Sequence, residues 1–268
     1  MSSRNRRKRQ RRRWLLIELA CAAAFVVLTG MLVVRITRQS RRCGEERAAR
    51  ETMAQIQITM PPAPTNVPLT TEPPNMMFDY AEELLKINSE LVGMVGFDDM
   101  ALYVCQGENN TYYASHRFDG SEDPAGMIYM DWRCSSWPLG QNTILYGHNM
   151  RDGSRFGKLN RLTRVGYLAE NPYVRYATLY EIRDYRPIAV FYANVDPAAE
   201  DYFDFAVTDF PDEASFNAYV QEAKRRSVVD LSATAKYGDN LLTLATCSEE
   251  GDSHGLLQHG RTPNRHLL

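Results

Sequence analysis

The sequence predicts a mainly β domain, a sandwich or a barrel, from about residue 77 onward. Beyond residue 100, short apolar runs such as ALYVC (101–105), NTILYG (142–147) and NLLTLATC (240–247) are separated by Gly, Pro, Asn and Asp. This is the pattern of short strands joined by turns. The chain of 268 residues is 44% hydrophobic and 24% charged. That composition is typical of globular protein and excludes wholesale disorder.

Two segments of this domain have helical character instead. Residues 79–91 carry apolar side chains near one face, at Leu84, Leu85, Ile87 and Leu91, as an amphipathic helix would. Residues 211–227 begin with a proline and acidic residues and end with three basic residues, an order that complements the helix dipole. We therefore expect one helix before the strands and one long helix inserted before the last strands.

The formal net charge of −2 conceals a strong asymmetry along the chain. Residues 1–50 carry 14 Lys or Arg and three acidic residues, a net charge of +11. The remainder carries 17 basic and 30 acidic residues, a net charge of −13. The two regions are therefore expected to face different environments.

The N-terminal region is predicted to be a membrane anchor. Residues 4–13 hold eight Lys or Arg, and an apolar stretch of 21 residues follows at 14–34. That stretch is long enough to cross the hydrocarbon layer and too long for a cleaved signal peptide. The basic run would also suit a nucleic-acid-binding arm, but the apolar stretch argues against a nucleic-acid partner. The denser positive charge predicts a cytoplasmic N-terminus and an extracytoplasmic position beyond residue 35.

These patterns predict four regions. They are a cytoplasmic basic tail (1–13), a transmembrane signal-anchor (14–34), an extracytoplasmic stalk with a Pro/Thr-rich linker (35–76) and an exported folded domain (77–268). Five cysteines are too few for a disulfide scaffold. Cys105 and Cys134 could form a disulfide on an exported domain, but nothing in the sequence places them together, and we expect both to be packed thiols. No spacing typical of a metal site is present, and we expect neither metal nor cofactor.

Two segments place a reactive side chain where a predicted strand ends. His148 follows the run LYG, and Cys247 ends the run TLATC. A thiol nucleophile needs a neighbouring acid or base, and a developing oxyanion needs a positive group or N–H donors. The two residues alone are weak evidence, because a buried cysteine at a strand end usually packs as a small hydrophobic residue.

The sequence segments that flank His148 and Cys247 both resemble those of one protein family. TLATC resembles the TLxTC signature of sortases, the membrane-anchored cysteine transpeptidases of Gram-positive bacteria, and LYGHNMRDGSRFGKL resembles the histidine segment of class B sortases. The segments QGENNTYYASHRFDG and AGMIYMDW extend the resemblance, which covers roughly residues 80–250. It implies a sortase-type closed β-barrel with an N-terminal helix and a long inserted helix before the last strands.

The resemblance also implies a reaction. Cys247 would attack the carbonyl after the threonine of a sorting motif in an exported protein, and an amine of the cell-wall peptide, from peptidoglycan or lipid II, would resolve the thioacyl intermediate. His148 would donate and accept the protons. Thr246 would shape the site and Asn110 would line the substrate groove. Two alternative hypotheses remain: a catalytically impaired sortase-like barrel that only binds peptide or cell wall, and a simple cysteine endopeptidase.

The segment after Cys247 departs from the family pattern. Sortases place an arginine eight to ten residues after the cysteine, where this chain has Gly-Leu-Leu at 255–257. The first arginine is Arg261, which is the expected oxyanion-stabilising or substrate-positioning residue. Arg265 and Arg155 stay open as alternatives, as does an altered C-terminus that impairs activity.

Overall fold

The computed structural model describes the backbone of residues 3–59, 77–247 and 254–261, and the side chains of most residues in 14–55 and 77–246. Its helices are α1 (Ser3–Thr59), α2 (Asp79–Ile87), α3 (Val165–Glu170) and α4 (Glu213–Arg226), with a 3-10 helix at Gly157–Thr163. Its strands are β1 (Leu91–Phe97), β2 (Met100–Cys105), β3 (Ile128–Met130), β4 (Asn142–Tyr146), β5 (Val174–Thr178), β6 (Ile182–Asn194), β7 (Leu241–Cys247) and β8 (His254–Arg261).

The strands form a closed barrel in the order β1-β2-β3-β4-β7-β8-β6-β5. Neighbouring strands are antiparallel except for two parallel pairs, β2 with β3 and β4 with β7. The mainly β prediction is confirmed. The strand pattern alone left a barrel and a sandwich open, and the closed barrel that the family resemblance implied is also confirmed. The helix before the strands and the helix inserted before β7 are confirmed as well.

Strand β2 shows why the apolar runs lack a polar face. All six of its residues are buried. Leu102 and Val104 belong to the cluster inside the barrel, while Tyr103 and Cys105 belong to a second cluster on its outer side. Because successive strand residues point to opposite faces, a strand covered on both sides reads as a continuous apolar run.

Helix α4 lies close to its predicted bounds. Asp212 caps its N-terminus by accepting the backbone N–H of Ser215 at 2.8 Å, one half of a reciprocal capping box. At the other end, Lys224 Nζ donates to the backbone oxygens of Leu231 and Ala233, each at 2.7 Å. Its buried residues include Phe216, which packs in the same cluster as Leu241 of β7 and Ile188 of β6.

Helix α2 ends earlier than the periodicity predicts, at Ile87. The side-chain oxygen of Asn88 accepts the backbone N–H of Glu90 at 2.9 Å, and its amide donates to Tyr113 Oη at 2.9 Å. Asparagine often competes with a helix in this way, by bonding its own neighbouring backbone. Leu91, expected on the helix, is therefore the first residue of β1.

The chain divides into two compact units, residues 1–45 and residues 46–268. In the first unit, the apolar side chains of 16–36 are largely exposed, as an anchor would require. Within the described residues, one helical segment (Leu16–Gln55) is long and apolar enough to cross a membrane. The predicted stalk is helical as far as Thr59, whereas the linker residues 60–76 lie outside the described part of the chain.

The second unit begins before residue 77, where the sequence placed the domain boundary. Ala49 and Met53, one helical turn apart, are buried in the cluster on the outer side of β1 and β2. Arg50 Nη1 donates to the backbone oxygen of Asp99 at 3.2 Å, beside this cluster. The end of α1 is therefore part of the folded catalytic unit.

We expect Ala49→Asp to destabilise this unit by about 2 kcal/mol or more, because a carboxylate at a fully buried position loses its hydration. Ala48→Asp is the matched control, since the neighbouring Ala48 is exposed on the same helix. Thermal unfolding of the detergent-solubilised full chain measures both variants. Equal melting temperatures would show that the end of α1 does not pack on the barrel.

Candidate active site

The parallel pairing of β4 with β7 relates the backbone positions of His148 and Cys247. Tyr146 lies opposite Ala245 in the register, and Gly147 donates its backbone N–H to Ala245 O at 3.1 Å. His148 follows Tyr146 by two residues, and Cys247 follows Ala245 by two. The two residues, 99 positions apart in the chain, thus follow directly paired positions of two strands, and paired strands lie about 4.8 Å apart.

Close packing fixes the backbone around His148. A Cβ on Gly147 would lie 2.3 Å from Ile128 Cδ1 and 2.9 Å from the ring of Phe156, which is fully buried. The backbone N–H of Phe156 donates to His148 O at 3.0 Å. The imidazole is partly buried, and its Nε2 lies 2.8 Å from the backbone oxygen of Ala114.

A buried carboxylate lies beside the last residue of β4. Asp131 accepts hydrogen bonds from Arg133 Nε at 2.9 Å, Arg133 Nη2 at 2.8 Å and Tyr146 Oη at 2.9 Å. Burial raises the pKa of Asp131, but these hydrogen bonds outweigh it and the pKa is lowered overall. Burial and the charge of Asp131 raise the pKa of Tyr146. The tyrosine therefore stays a neutral donor and orients the end of β4.

Asn110 belongs to the same network. Its amide nitrogen donates to Asp131 Oδ2 at 3.1 Å, and its carbonyl oxygen accepts the backbone N–H of Trp132 at 3.0 Å. Both ends of this amide thus connect the β2–β3 loop to the segment after β3. The sequence missed Asp131 as a member of the site. The signal was an aspartate directly after the apolar run GMIYM.

A second network of polar side chains connects β4 and β7 to helix α4 and to the segment that precedes it. Asn142 of β4 accepts Thr243 Oγ1 of β7 at 2.8 Å and donates to the backbone oxygen of Val207 at 2.7 Å. Tyr219 of α4 donates to the backbone oxygen of Phe205 at 2.7 Å. The network fastens the segment before α4 to the two strands that carry His148 and Cys247.

The other two residues predicted for the site, Thr246 and Arg261, lie at different positions along strands β7 and β8. Thr246 is buried next to Cys247 in β7, and its hydroxyl has no hydrogen-bond partner among the described residues. In the register of β7 with β8, Cys247 lies opposite Gly255, whereas Arg261 lies opposite Leu241. Six residues of strand correspond to about 20 Å. In this register, the backbone positions of Arg261 and Cys247 lie at opposite ends of β7.

Of the two arginines considered as alternatives to Arg261, the structure describes Arg155 but not Arg265. Arg155 is buried in the turn that follows His148, and its backbone N–H donates to Glu46 Oε1 at 3.3 Å. Arg265 lies outside the described residues. Cys105 and Cys134 are both buried, as expected of packed thiols. Burial raises the pKa of Cys134 to about 11, which keeps that thiol neutral and unreactive near neutral pH.

The chain is similar to curated proteins named Sortase B. It is 32% identical to Sortase B of Listeria monocytogenes over 179 residues, which cover 65% of this chain and 69% of that protein. It is 29% identical to Sortase B of Staphylococcus aureus over 170 residues, 63% of this chain and 67% of that protein. No protein-family profile matches the chain.

Solved structures give the same family. The Bacillus anthracis sortase B complex with AAEK2 has a TM-score of 0.63 at 27% identity, covering 72% of this chain and 87% of that one. A Staphylococcus aureus sortase B–substrate complex, at 19% identity, shares the fold with a TM-score of 0.71 and covers 85% of this chain and 98% of that one. The barrel and the relatives define a cysteine transpeptidase of the sortase type. Within that type, the chain belongs to the class B sortases.

Proposed function

We propose that Cys247 is the nucleophile of this transpeptidase and His148 its proton-transfer residue. The observation that carries the assignment is the parallel register of β4 and β7, which puts both residues beyond paired strand positions. A thiol and a base on adjacent strand ends of a rigid barrel provide the arrangement that nucleophilic catalysis needs. Thr246 contributes to the shape of the site, and Asn110 lines the groove that binds the substrate.

The reaction has two halves. In the first, the sulfur of Cys247 attacks the carbonyl carbon after the threonine of the sorting motif, the peptide C–N bond breaks, and His148 gives a proton to the leaving amine. In the second, an amine attacks the thioester carbon, His148 accepts its proton, and the C–S bond breaks to release the thiolate. The substrate is an exported protein with a sorting motif, as substrate complexes of related sortases support. The acceptor is a peptide amine of peptidoglycan or lipid II.

The enzyme acts at the outer face of the cell membrane. Residues 14–34 span the membrane once, the basic tail 1–13 lies in the cytoplasm, and the stalk that begins at residue 35 leads to the catalytic domain outside. The exposed apolar side chains of α1 and the dense positive charge before them support this topology. The second compact unit begins at residue 46, within the segment proposed as the stalk.

Mass spectrometry tests the proposed function. The full chain in detergent micelles is incubated with a panel of sorting-motif peptides, with and without glycine or diaminopimelate as the amine. We expect a thioacyl adduct on Cys247 that converts to an amine-linked product. A hydrolysed peptide as the sole product would favour the endopeptidase, and a folded chain that binds peptide without an adduct would favour the binding module.

Arg261→Ala is expected to leave the transpeptidation rate within about twofold of the unchanged chain, because substitutions away from a site have small effects. The reason is the register, which pairs Arg261 with Leu241 at the far end of β7. Initial rates with the preferred peptide measure the effect. A large loss in a folded Arg261→Ala variant, with recovery in Arg261→Lys, would instead return the charge-stabilising role to this residue.

A further inference from the structure

The main-chain oxygen of Ala114 is the hydrogen-bond partner of the His148 ring within the described residues, at 2.8 Å from Nε2. We propose that this carbonyl positions His148 as its Nε2–H tautomer, so that Nδ1 is the nitrogen that exchanges protons with the thiol and the substrate amine. The inference rests on the proposed role of His148 and adds Ala114 and Gly126 as positioning residues.

The chemistry of the two groups fixes the tautomer. A backbone carbonyl only accepts hydrogen bonds, so a ring nitrogen bonded to it must carry a hydrogen. In neutral imidazole the other nitrogen is then the acceptor. When Nδ1 takes up a proton, the Nε2–H bond remains and becomes stronger, because its donor is now charged. The carbonyl of Ala114 thus orients the imidazole as a carboxylate does in the Ser-His-Asp arrangement.

Gly126 is what allows this carbonyl to lie where it does. A Cβ on Gly126 would lie 2.6 Å from Ala114 O and 2.4 Å from Tyr113 O, and its φ of +50° is itself unfavourable for other residues. Next to it, the backbone N–H of Met127 donates to Tyr113 O at 3.0 Å. The glycine therefore lets the 113–114 segment pack against the start of β3 with its oxygen directed at the imidazole.

The tautomer is measured directly on the unchanged protein. The full chain, labelled with ¹⁵N-histidine in detergent micelles, gives ring-nitrogen NMR signals, and His148 is assigned by the signals lost in His148→Asn. At a pH where the ring is neutral, we expect Nε2 to be the protonated, pyrrole-type nitrogen and Nδ1 the pyridine-type one. A dominant Nδ1–H form would overturn the proposal whether or not Gly126→Ala folds.

Gly126→Ala tests the positioning role, with Gly120→Ala as its matched control. Gly120 is in the same loop with a φ of +76°, but a Cβ there meets only Tyr112 Oη, at 3.7 Å. We expect kcat to fall about 10- to 100-fold in Gly126→Ala, because a displacement near 1 Å at a reacting group costs this much. KM should change little, and the Nε2–H population of His148 should fall. Gly120→Ala should keep both kcat and tautomer.

The outcomes separate this inference from the proposed function. A folded Gly126→Ala variant with unchanged kcat and tautomer contradicts the positioning role alone. Full activity in His148→Asn contradicts the proton-transfer role of His148 itself, whatever the tautomer. If Gly126→Ala does not fold, the ¹⁵N signals of the unchanged chain decide the proposal.

Discussion

Cys247→Ala is expected to abolish transpeptidation, with a loss of about 10³-fold or more, as seen when a covalent nucleophile is removed from an enzyme. No thioester can form without the sulfur, so both peptide cleavage and amine transfer stop. Cys247 is the last residue of β7, and alanine is compatible with a strand end. The barrel should therefore remain folded, and thermal unfolding checks this while mass spectrometry follows the products.

Cys105→Ala and Cys134→Ala are the matched controls. Both cysteines are buried, and the Sγ of Cys134 accepts the backbone N–H of Ile144 at 3.4 Å. These variants should lose some stability but keep the adduct on Cys247. Residual adduct in Cys247→Ala, or its disappearance in a folded Cys134→Ala variant, would move the nucleophile to another cysteine.

The sequence predicted individual strands better than it predicted their partners. Apolar runs between turn residues located β2, β4 and β7, because burial on both faces of a barrel strand leaves a continuous apolar pattern. The parallel contact between β4 and β7 leaves no such pattern, since it joins residues about 100 positions apart. The family resemblance therefore predicted that His148 and Cys247 act together, whereas the periodicity of the sequence did not.

Other features of the site were hidden for different reasons. Ala114 acts through its backbone oxygen, so its side chain carries no signal of the contact with His148. The position of Arg261 depends on strand register, which a count of residues after Cys247 does not reveal. The packing of Ala49 and Met53 was hidden because these are two buried residues on a mostly polar helix end, where the sequence shows no clear apolar face.

His148→Gln is expected to reduce acylation by an amide substrate about 10²- to 10⁴-fold, the usual contribution of general acid–base catalysis. Glutamine also carries an N–H donor that can serve the Ala114 carbonyl, but it cannot exchange a proton with the leaving amine. The loss should therefore fall on the chemical step, while the fold and peptide binding are kept. Single-turnover formation of the Cys247 adduct measures that step separately from product release.

The choice of leaving group makes this test specific. In a second substrate, the scissile amide of the sorting peptide is replaced by a nitrophenyl ester, whose nitrophenolate leaving group needs no proton. With this ester, the loss of acylation rate in His148→Gln should be much smaller than with the amide. Cys247→Ala should gain nothing from the same ester, because its defect is the missing nucleophile. An equal deficit of His148→Gln with amide and ester would show that His148 does not act as the acid. Its contribution would then lie in forming the thiolate, a step that both substrates need before the first bond is made.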